Sequence, residues 1–195
     1  MVKFKSCIAL QHRMSANSYL LLLALLALIV ASCSHGQPNN INNSEVVYMK
    51  LSSPAFADNG MIPAKFACNG ADISPELSIS GVPSSAKSLA LIVDDPDAPS
   101  KVWVHWVVFN ISPGTGGIAE NSVPAGAVQG TTDFRTPKYG GPCPPSGTHR
   151  YVFKLYALDT TLNLGSSATK KDVESAMQGQ ILAQATLTGL YKQQK

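Results

Sequence analysis

Three short segments of the chain combine acidic, imidazole and aromatic side chains at spacings that suit a small binding or catalytic site. The first, Asp94-Asp95-Pro96-Asp97-Ala98-Pro99, carries three carboxylates in four residues. Because like charges at such spacing repel one another, we expect some of these carboxylates to meet a cation or a hydrogen-bond donor. The alternative is a solvated acidic turn, which Asp and Pro commonly build.

The second segment is Trp103-Val104-His105-Trp106. In a strand, successive side chains point to opposite faces, which puts Trp103 and His105 on one face and Trp106 on the other. A histidine there can donate ring N–H bonds and become cationic just below neutral pH. The alternative is a core histidine packed between tryptophans.

The third segment runs from Tyr139 to Tyr151 and reads Tyr-Gly-Gly-Pro-Cys-Pro-Pro-Ser-Gly-Thr-His-Arg-Tyr. Its prolines stiffen a loop, and its glycines let the backbone approach a ligand closely. Cys143 with His149 nearby is a candidate nucleophile, although the flanking prolines favour a role in loop shape. The chain has no Gly-x-Ser-x-Gly elbow, and neither His105 nor His149 has a partner at short metal-ligand spacing.

These segments must be positioned by strands. Ser88–Val93 is a continuous apolar run, and Val102–Ile111 and Tyr151–Leu158 are further apolar runs bounded by Gly and Pro. Such runs predict strands, the first buried on both faces. Strands that follow one another without helices between them predict antiparallel sheets packed face to face.

Only one helix is predicted with a complete start and stop. Thr169 and Asp172 have the spacing of an N-terminal capping box, and Gly179 stands where a left-handed residue ends a helix. After it, from Ile181 to Thr188, the apolar positions alternate with a period of two. This pattern favours a final strand over a longer helix.

The N-terminus has the pattern of a lipoprotein signal peptide. Residues 19–31 are Tyr followed only by Leu, Ala, Ile and Val. These thirteen residues suit the apolar region of a signal peptide, whereas a membrane span, the alternative, needs about 20. Val30-Ala31-Ser32-Cys33 resembles a lipobox. We therefore expect a signal peptide over 1–32, and a lipid-modified Cys33 that anchors the protein in the cell envelope.

Residues 33–44 hold one aliphatic side chain after the cysteine and show no periodicity, so we expect a lipid-anchored flexible tether there. Residues 45–195 then form a single domain. Without Lys3, Lys5 and Arg13, the chain holds equal numbers of basic and acidic residues and shows no basic stripe. This charge pattern argues against a nucleic-acid partner.

Taken together, the three segments resemble the phosphatidylethanolamine-binding protein (PEBP) family, also called the Raf-kinase-inhibitor-like family, and its bacterial members in particular. The resemblance runs from near Lys50 to the C-terminus. Bacterial members often have a Gly-His pair after the helix, where this chain has Gly179-Gln180. The matching motifs are Ile62-Pro63, Cys68-Asn69-Gly70-Ala71-Asp72-Ile73-Ser74-Pro75, Asp95-Pro96-Asp97-Ala98-Pro99, Trp103 with His105-Trp106, Gly141-Pro142-Cys143-Pro144-Pro145 and His149-Arg150-Tyr151.

The resemblance implies a mainly β fold, in which a large antiparallel sheet packs on a smaller sheet, with a short helix near the C-terminus. It also implies a narrow pocket for phosphate-like anions at one end. The residues it places in or beside that pocket are Asp95, Asp97, Trp103, His105, Gly141, Cys143, Pro144, His149 and Tyr151.

Within that pocket we expect Asp95 to orient His105 as the cationic floor, completed by His149 and the backbone N–H of Cys143. The resemblance further implies a cis peptide at Ala98–Pro99. Whether Cys68 and Cys143 form a disulfide is left open.

The expected function is binding of a phosphate-like or phospholipid-headgroup anion, as in a regulator that inhibits a kinase or protease. No enzyme activity, metal or cofactor is expected. The alternatives are a small-molecule hydrolase that uses the Asp/His pocket, and a protein-interaction scaffold in the envelope. The expected location is a membrane of the envelope, reached through the lipid on Cys33, and in a Gram-negative cell the outer membrane facing the periplasm.

Overall fold

The structure, a computed structural model, describes residues 48–193. The predicted signal peptide, the Cys33 lipidation site and the tether lie outside these residues. Among residues 48–193, no helix has both the length and the apolar character needed to cross a membrane.

Two β-sheets form the described part of the chain, as predicted. The smaller sheet has three strands in the order β1-β3-β6, and the larger has six in the order β2-β9-β8-β4-β5-β7. The strands are β1 (Lys50–Ser52), β2 (Gly60–Met61), β3 (Leu77–Ser80), β4 (Ser88–Asp95), β5 (Trp103–Ile111), β6 (Gly117–Ile118), β7 (Val128–Gln129), β8 (His149–Leu158) and β9 (Ile181–Tyr191). All pairings are antiparallel except the short contact between β2 and β9, which is parallel.

The large sheet is covered on both faces, and β4 at its centre is buried along its whole length. We call the face toward the small sheet the inner face and the opposite one the outer face. On the inner face, Leu89, Leu91 and Val93 share a core with residues of the small sheet such as Leu77 and Ile79. The continuous apolar run of β4 is explained by this burial on both sides.

The outer face is covered by the chain between β8 and β9. There Ala90 and Ile92 of β4 pack with Leu162 and with Val173 and Met177 of the helical segment. This second core attaches the helix to the large sheet.

The helix α1 (Lys170–Ala176) begins and ends as the sequence predicts. The side chain of Thr169 accepts from the Asp172 N–H, and the Asp172 carboxylate accepts from the Thr169 N–H, which completes the capping box. Gly179 has φ of +75°. The final strand β9 follows, so the change of period after the helix is confirmed.

The prediction of a cis peptide at Ala98–Pro99 is wrong, because residues 48–193 contain no cis peptide bond. Trans is the favoured isomer of an X–Pro bond by about 0.5–1 kcal/mol, so the loop adopts the ordinary form. The loop is shaped instead by a side chain, since the Asp95 carboxylate accepts from the Asp97 N–H at 2.8 Å.

Candidate functional site

The candidate site lies where the end of β4 meets the start of β5 and the start of β8. In the antiparallel register Asp95 lies opposite Trp103 of β5, and Asp94 lies opposite Val152 of β8. The acidic loop, the Trp-His segment and the third loop are therefore brought to one end of the large sheet by the pairing of these three strands.

Two carboxylates of the acidic segment form ion pairs with basic side chains of β8 and α1. Asp94 is buried on the outer face, where Lys154 lies 3.1 Å away and Lys170 also pairs with it. Asp97 accepts three hydrogen bonds from Arg150, one from its backbone N–H and two from its guanidinium, at 2.6–2.9 Å. Hydrogen bonding to the Arg150 side chain lowers the pKa of Asp97 to about 2. The expected meeting of these carboxylates with cations is confirmed.

The third carboxylate, Asp95, is paired with a histidine. Its Oδ2 lies 2.7 Å from Nδ1 of His149, and both side chains are at least nine-tenths buried. Because a carboxylate only accepts, Nδ1 of His149 carries the proton. Nε2 is therefore the nitrogen of His149 that remains for a ligand.

His105 is not the histidine that Asp95 orients, and that expectation is wrong. Its Nδ1 lies 2.7 Å from the carbonyl oxygen of Gly140. A carbonyl only accepts, so Nδ1 donates to it. Burial lowers the pKa of His105, although Gly140 and the charge of Asp95 act in the opposite direction. The ring is neutral near pH 7, with its lone pair on Nε2, and does not supply the expected positive charge.

Trp103 and His105 share a face as predicted, since both contact Phe134. The prediction that Trp106 points to the other face is wrong, because β5 contains a register shift. Val93 pairs with Trp106 but Asp94 pairs with Val104, so His105 is an extra residue in the strand. A bulge of this kind interrupts the alternation of side chains. The rings of His105 and Trp106 consequently both contact the inner core, His105 on Tyr151 with centroids 5.0 Å apart.

Tyr151 places a hydroxyl group beside the Asp95–His149 pair. The residue is 1% exposed, and its hydroxyl has no hydrogen-bond partner within residues 48–193. Burial raises its pKa, the nearby Asp95 carboxylate adds to this, and the nearby backbone N–H of Cys143 acts in the opposite direction. The phenol is therefore protonated and can donate. Neither Asp95 nor the Cys143 N–H reaches hydrogen-bonding geometry with the hydroxyl. A buried hydroxyl without a partner costs about 1–3 kcal/mol, so its position needs an explanation.

The third loop is held against the segment 66–72. The Gly141 N–H donates to Asp72 at 2.6 Å, and the Tyr139 hydroxyl donates to the Phe66 carbonyl at 3.1 Å. A Cβ on Gly141 would lie 2.4 Å from that same carbonyl oxygen, so only glycine fits. Gly141 therefore allows the backbone of the third loop to pack closely against the backbone of residues 66–72.

A disulfide joins the same two segments. Cys68 and Cys143 are bonded, and the Cys68 N–H donates to the Pro142 carbonyl at 3.1 Å. The question that the sequence left open is therefore answered. The disulfide also occupies the Cys143 sulfur, so the candidate nucleophile does not exist as a free thiol in this structure.

The structure thus brings most of the predicted site residues together, with different roles. Asp95, His149 and Tyr151 form the centre, and the loop of Gly141, Cys143 and Pro144 lies beside it. His105 supports this centre by contact, while Asp97 joins the acidic loop to β8. Trp103 is half-buried and stacks edge-on against Phe134 with centroids 5.6 Å apart.

Three residues with clear roles were missed by reasoning from sequence. Arg150 and Asp72 lie inside the quoted motifs, but nothing in their spacing indicates which partner each one binds. Phe134 is 40% exposed and contacts both His105 and Trp103. Its single aromatic ring in a polar loop carries no sequence signal.

Beside the third loop is a cavity of about 280 Å³. It is bounded by Cys68, Phe134 and Gly140, with Lys138 and Asp72 as its charged groups. Within the described residues, no group of three or more His, Cys, Asp or Glu side chains is arranged to hold a metal ion.

Comparison with known proteins identifies the class. A sequence model of the phosphatidylethanolamine-binding protein family matches residues 52–192. Because this match covers more than half of the 195 residues, the chain belongs to that family.

Individual relatives agree with this assignment. A UPF0098 protein of Methanothermobacter thermautotrophicus is 57% identical over 149 residues, which are 74% of this chain and 99% of the relative. A solved PEBP homologue from Chlamydia trachomatis is 44% identical with a TM-score of 0.73, and the match covers 76% of this chain and 99% of the homologue. YbcL of Escherichia coli, described as a member of the mammalian PEBP family, is 32% identical with a TM-score of 0.71 over 75% of this chain and 99% of YbcL.

Proposed function

We propose that the domain binds a small phosphate-like anion, such as a phospholipid headgroup, between His149, Tyr151 and the backbone N–H of Cys143. The observation that carries the proposal is the buried Tyr151 hydroxyl, which has no partner within residues 48–193, beside a buried Asp95–His149 pair. An anion at this position would accept a hydrogen bond from the hydroxyl and so remove the cost of burying it unpaired.

The charges of the site support an anion there if His149 is cationic. Asp95 accepts from Nδ1, so the Nε2–H of the imidazolium is left to donate to the anion. The imidazolium also compensates the charge of Asp95, which would otherwise repel the ligand. Hydrogen bonds between charged groups contribute about 1.5–3 kcal/mol each, more than those between neutral groups.

In this proposal His105 is a positioning residue. Its ring donates to Gly140 and packs edge-on against Tyr151, so it fixes the third loop and the phenol relative to each other. Its neutral state follows from its burial, which lowers its pKa.

We favour binding over turnover, as in a regulator of a protein partner such as a kinase or protease. The support is that Cys143, the candidate nucleophile, is in a disulfide. The pattern of residues 19–33 supports export and a lipid anchor at Cys33, which would place the domain in the cell envelope beside phospholipid headgroups. The family's name, phosphatidylethanolamine-binding protein, is consistent with such a ligand.

Tyr151→Phe tests the proposed anion site. The substitution removes only a hydroxyl that has no partner in the described structure, so we expect the melting temperature to stay the same or rise. Affinity for phosphorylethanolamine, measured by calorimetric titration, should fall about 2–10-fold, which corresponds to one lost hydrogen bond. Unchanged affinity in a well-folded variant would remove the phenol from the site.

A further inference from the structure

The last strand of the large sheet has an open edge. Strand β9 pairs with β8 along its length, but on its other side β2 pairs only with Gly189 and Leu190. At Thr188 the edge is also covered, because its carbonyl accepts from the Asn59 N–H and its N–H donates to the Asp58 carboxylate. We call residues 183–187 the β9 edge; nothing in the described part of the chain pairs with its outer side.

The β9 edge presents unpaired backbone groups. The Thr188 carbonyl points outward to Asn59, and in an antiparallel sheet alternate residues direct their backbone groups to the same side. The N–H and C=O groups of Gln184 and Thr186 therefore point outward as well. Within residues 48–193 these four groups make no hydrogen bond with the backbone or with side chains.

The usual protection of an open edge is incomplete here. Proteins protect such edges with charged residues, Pro or bulges, because an open edge is a template for another strand. Strand β9 contains no charged residue and no Pro. Two features give partial protection. Strand β1 of the small sheet lies close to β9, and a register shift occurs at Leu182, where Leu182 and the neighbouring Ile181 are 41% and 45% exposed.

We propose that the β9 edge pairs with the same edge of a second copy of this chain, antiparallel, with the two-fold axis at Ala185. In this register Gln184 lies opposite Thr186 of the second copy, and the four outward groups of each strand make four hydrogen bonds across the axis. Ala183 lies opposite Leu187, and Ala185 lies opposite itself. Neither of the two paired strands contains a charged residue.

The two ends of the edge favour a second copy over an arbitrary peptide. In this register Leu182 would lie opposite Thr188 of the second copy, and Thr188 is already covered by Asp58 and Asn59. The register shift at Leu182 bends the strand at this same point. On each side, the pairing therefore ends at a residue where β9 is already covered or bent. This inference is independent of the proposed anion site.

Cysteine crosslinking in the full chain tests the pairing. Residues opposite each other without hydrogen bonds have Cα atoms about 4.5 Å apart, which is within reach of a disulfide. Ala185→Cys should therefore form a disulfide-linked dimer when cells that express it are oxidised. Gln184→Cys should form much less disulfide-linked dimer. In the proposed register, Gln184 and the same residue of the second copy are offset by two residues and lie about 7–8 Å apart.

Wild type and Asn163→Cys, an exposed position in the loop before α1, measure background crosslinking. We expect the dimer fraction of Ala185→Cys to exceed that of Asn163→Cys about tenfold, because pairing raises the local thiol concentration. Adding Gln184→Pro to Ala185→Cys removes one outward N–H and no hydrogen bond to β8. This change should reduce the dimer fraction with little change in melting temperature. The proposal would be overturned if Ala185→Cys and Asn163→Cys crosslink equally, or if every variant stays monomeric. Either result would contradict it whether the edge is bare or is covered by residues of the same chain before Tyr48.

Discussion

Asp95 accepts the Nδ1–H of His149 at 2.7 Å, at the point where the end of β4 meets the start of β8. The pairing follows from register, because both side chains lie on the inner face of adjacent antiparallel strands. The other nearby histidine, His105, comes from β5 and bonds a backbone carbonyl instead. The structure thus reverses the roles expected for the two histidines, because His149 and not His105 is hydrogen-bonded to the buried carboxylate.

The close packing of the third loop gives a first prediction. In Gly141→Ala the new Cβ would lie 2.4 Å from the Phe66 carbonyl oxygen and 2.7 Å from the Asp72 carboxylate. We expect the free energy of unfolding in urea to fall by about 1–3 kcal/mol, as for other overpacked sites. Gly116→Ala is the matched control, because nothing lies within 4 Å of its Cβ position. Equal effects of the two substitutions would contradict the close contact.

The ion pair of Asp97 with Arg150 gives a prediction about acid stability. The folded-state pKa of Asp97 is lowered from 3.8 to about 2, so between these values the unfolded chain binds more protons than the folded one. The pair therefore stabilises the fold above about pH 4, and this contribution is lost as the pH falls through about 2. The stability difference between wild type and Asp97→Asn should shrink over that range in urea unfolding.

Glu76→Gln is the control for this measurement, because the exposed Glu76 side chain makes no ion pair with the residues that the structure describes. Its stability difference from wild type should stay flat over the same range. A difference for Asp97→Asn that is equally flat would show that the ion pair contributes nothing.

Much of the fold follows from sequence because its signals are local. The buried strand β4 is visible as a continuous apolar run, and the start of α1 is visible as the spacing of Thr169 and Asp172. Both signals depend only on residues close together in the chain. The assembly of the three loops at one end was expected from family motifs, which carry the register of the strands without showing it.

The roles within the site could not be predicted in the same way. The register shift that brings His105 and Trp106 to the same face depends on how β5 pairs with β4, and no residue type near it marks a bulge. The choice of His149 as the partner of Asp95 depends on three strands at once. The neutral state of His105 results from burial, which only the packed structure defines.

The disulfide gives a prediction about stability. Cys68 and Cys143 are separated by 75 residues, so their bond restricts the unfolded chain strongly. The double variant Cys68→Ser with Cys143→Ser should lose about 2–4 kcal/mol of unfolding free energy in urea. Wild type in the presence of a reducing agent should behave like the double variant, and reducing agent should not alter the double variant. Stability that is unchanged by both treatments would mean that the bond is not formed in solution.

The proposed lipid anchor is tested by Cys33→Ser. We expect the variant to accumulate as an unprocessed precursor without diacylglycerol, because the modified thiol is what the lipoprotein signal peptidase pathway requires. Metabolic labelling with a radioactive fatty acid and the shift in gel mobility measure both effects. Cys7→Ser, which changes a cysteine within the predicted signal peptide, should be processed normally. Normal processing and lipid labelling of Cys33→Ser would rule out the anchor.

Calorimetric titration of phosphorylethanolamine into wild type, His149→Gln and His105→Gln tests the central claim most directly. Loss of a charged hydrogen bond from His149 should weaken binding about tenfold or more. His105→Gln should lower the melting temperature and weaken binding less, because His105 positions the loop and carries no charge. If His149→Gln binds as tightly as wild type, or if only His105→Gln loses affinity while remaining folded, the Asp95–His149 pair is not the centre of an anion site.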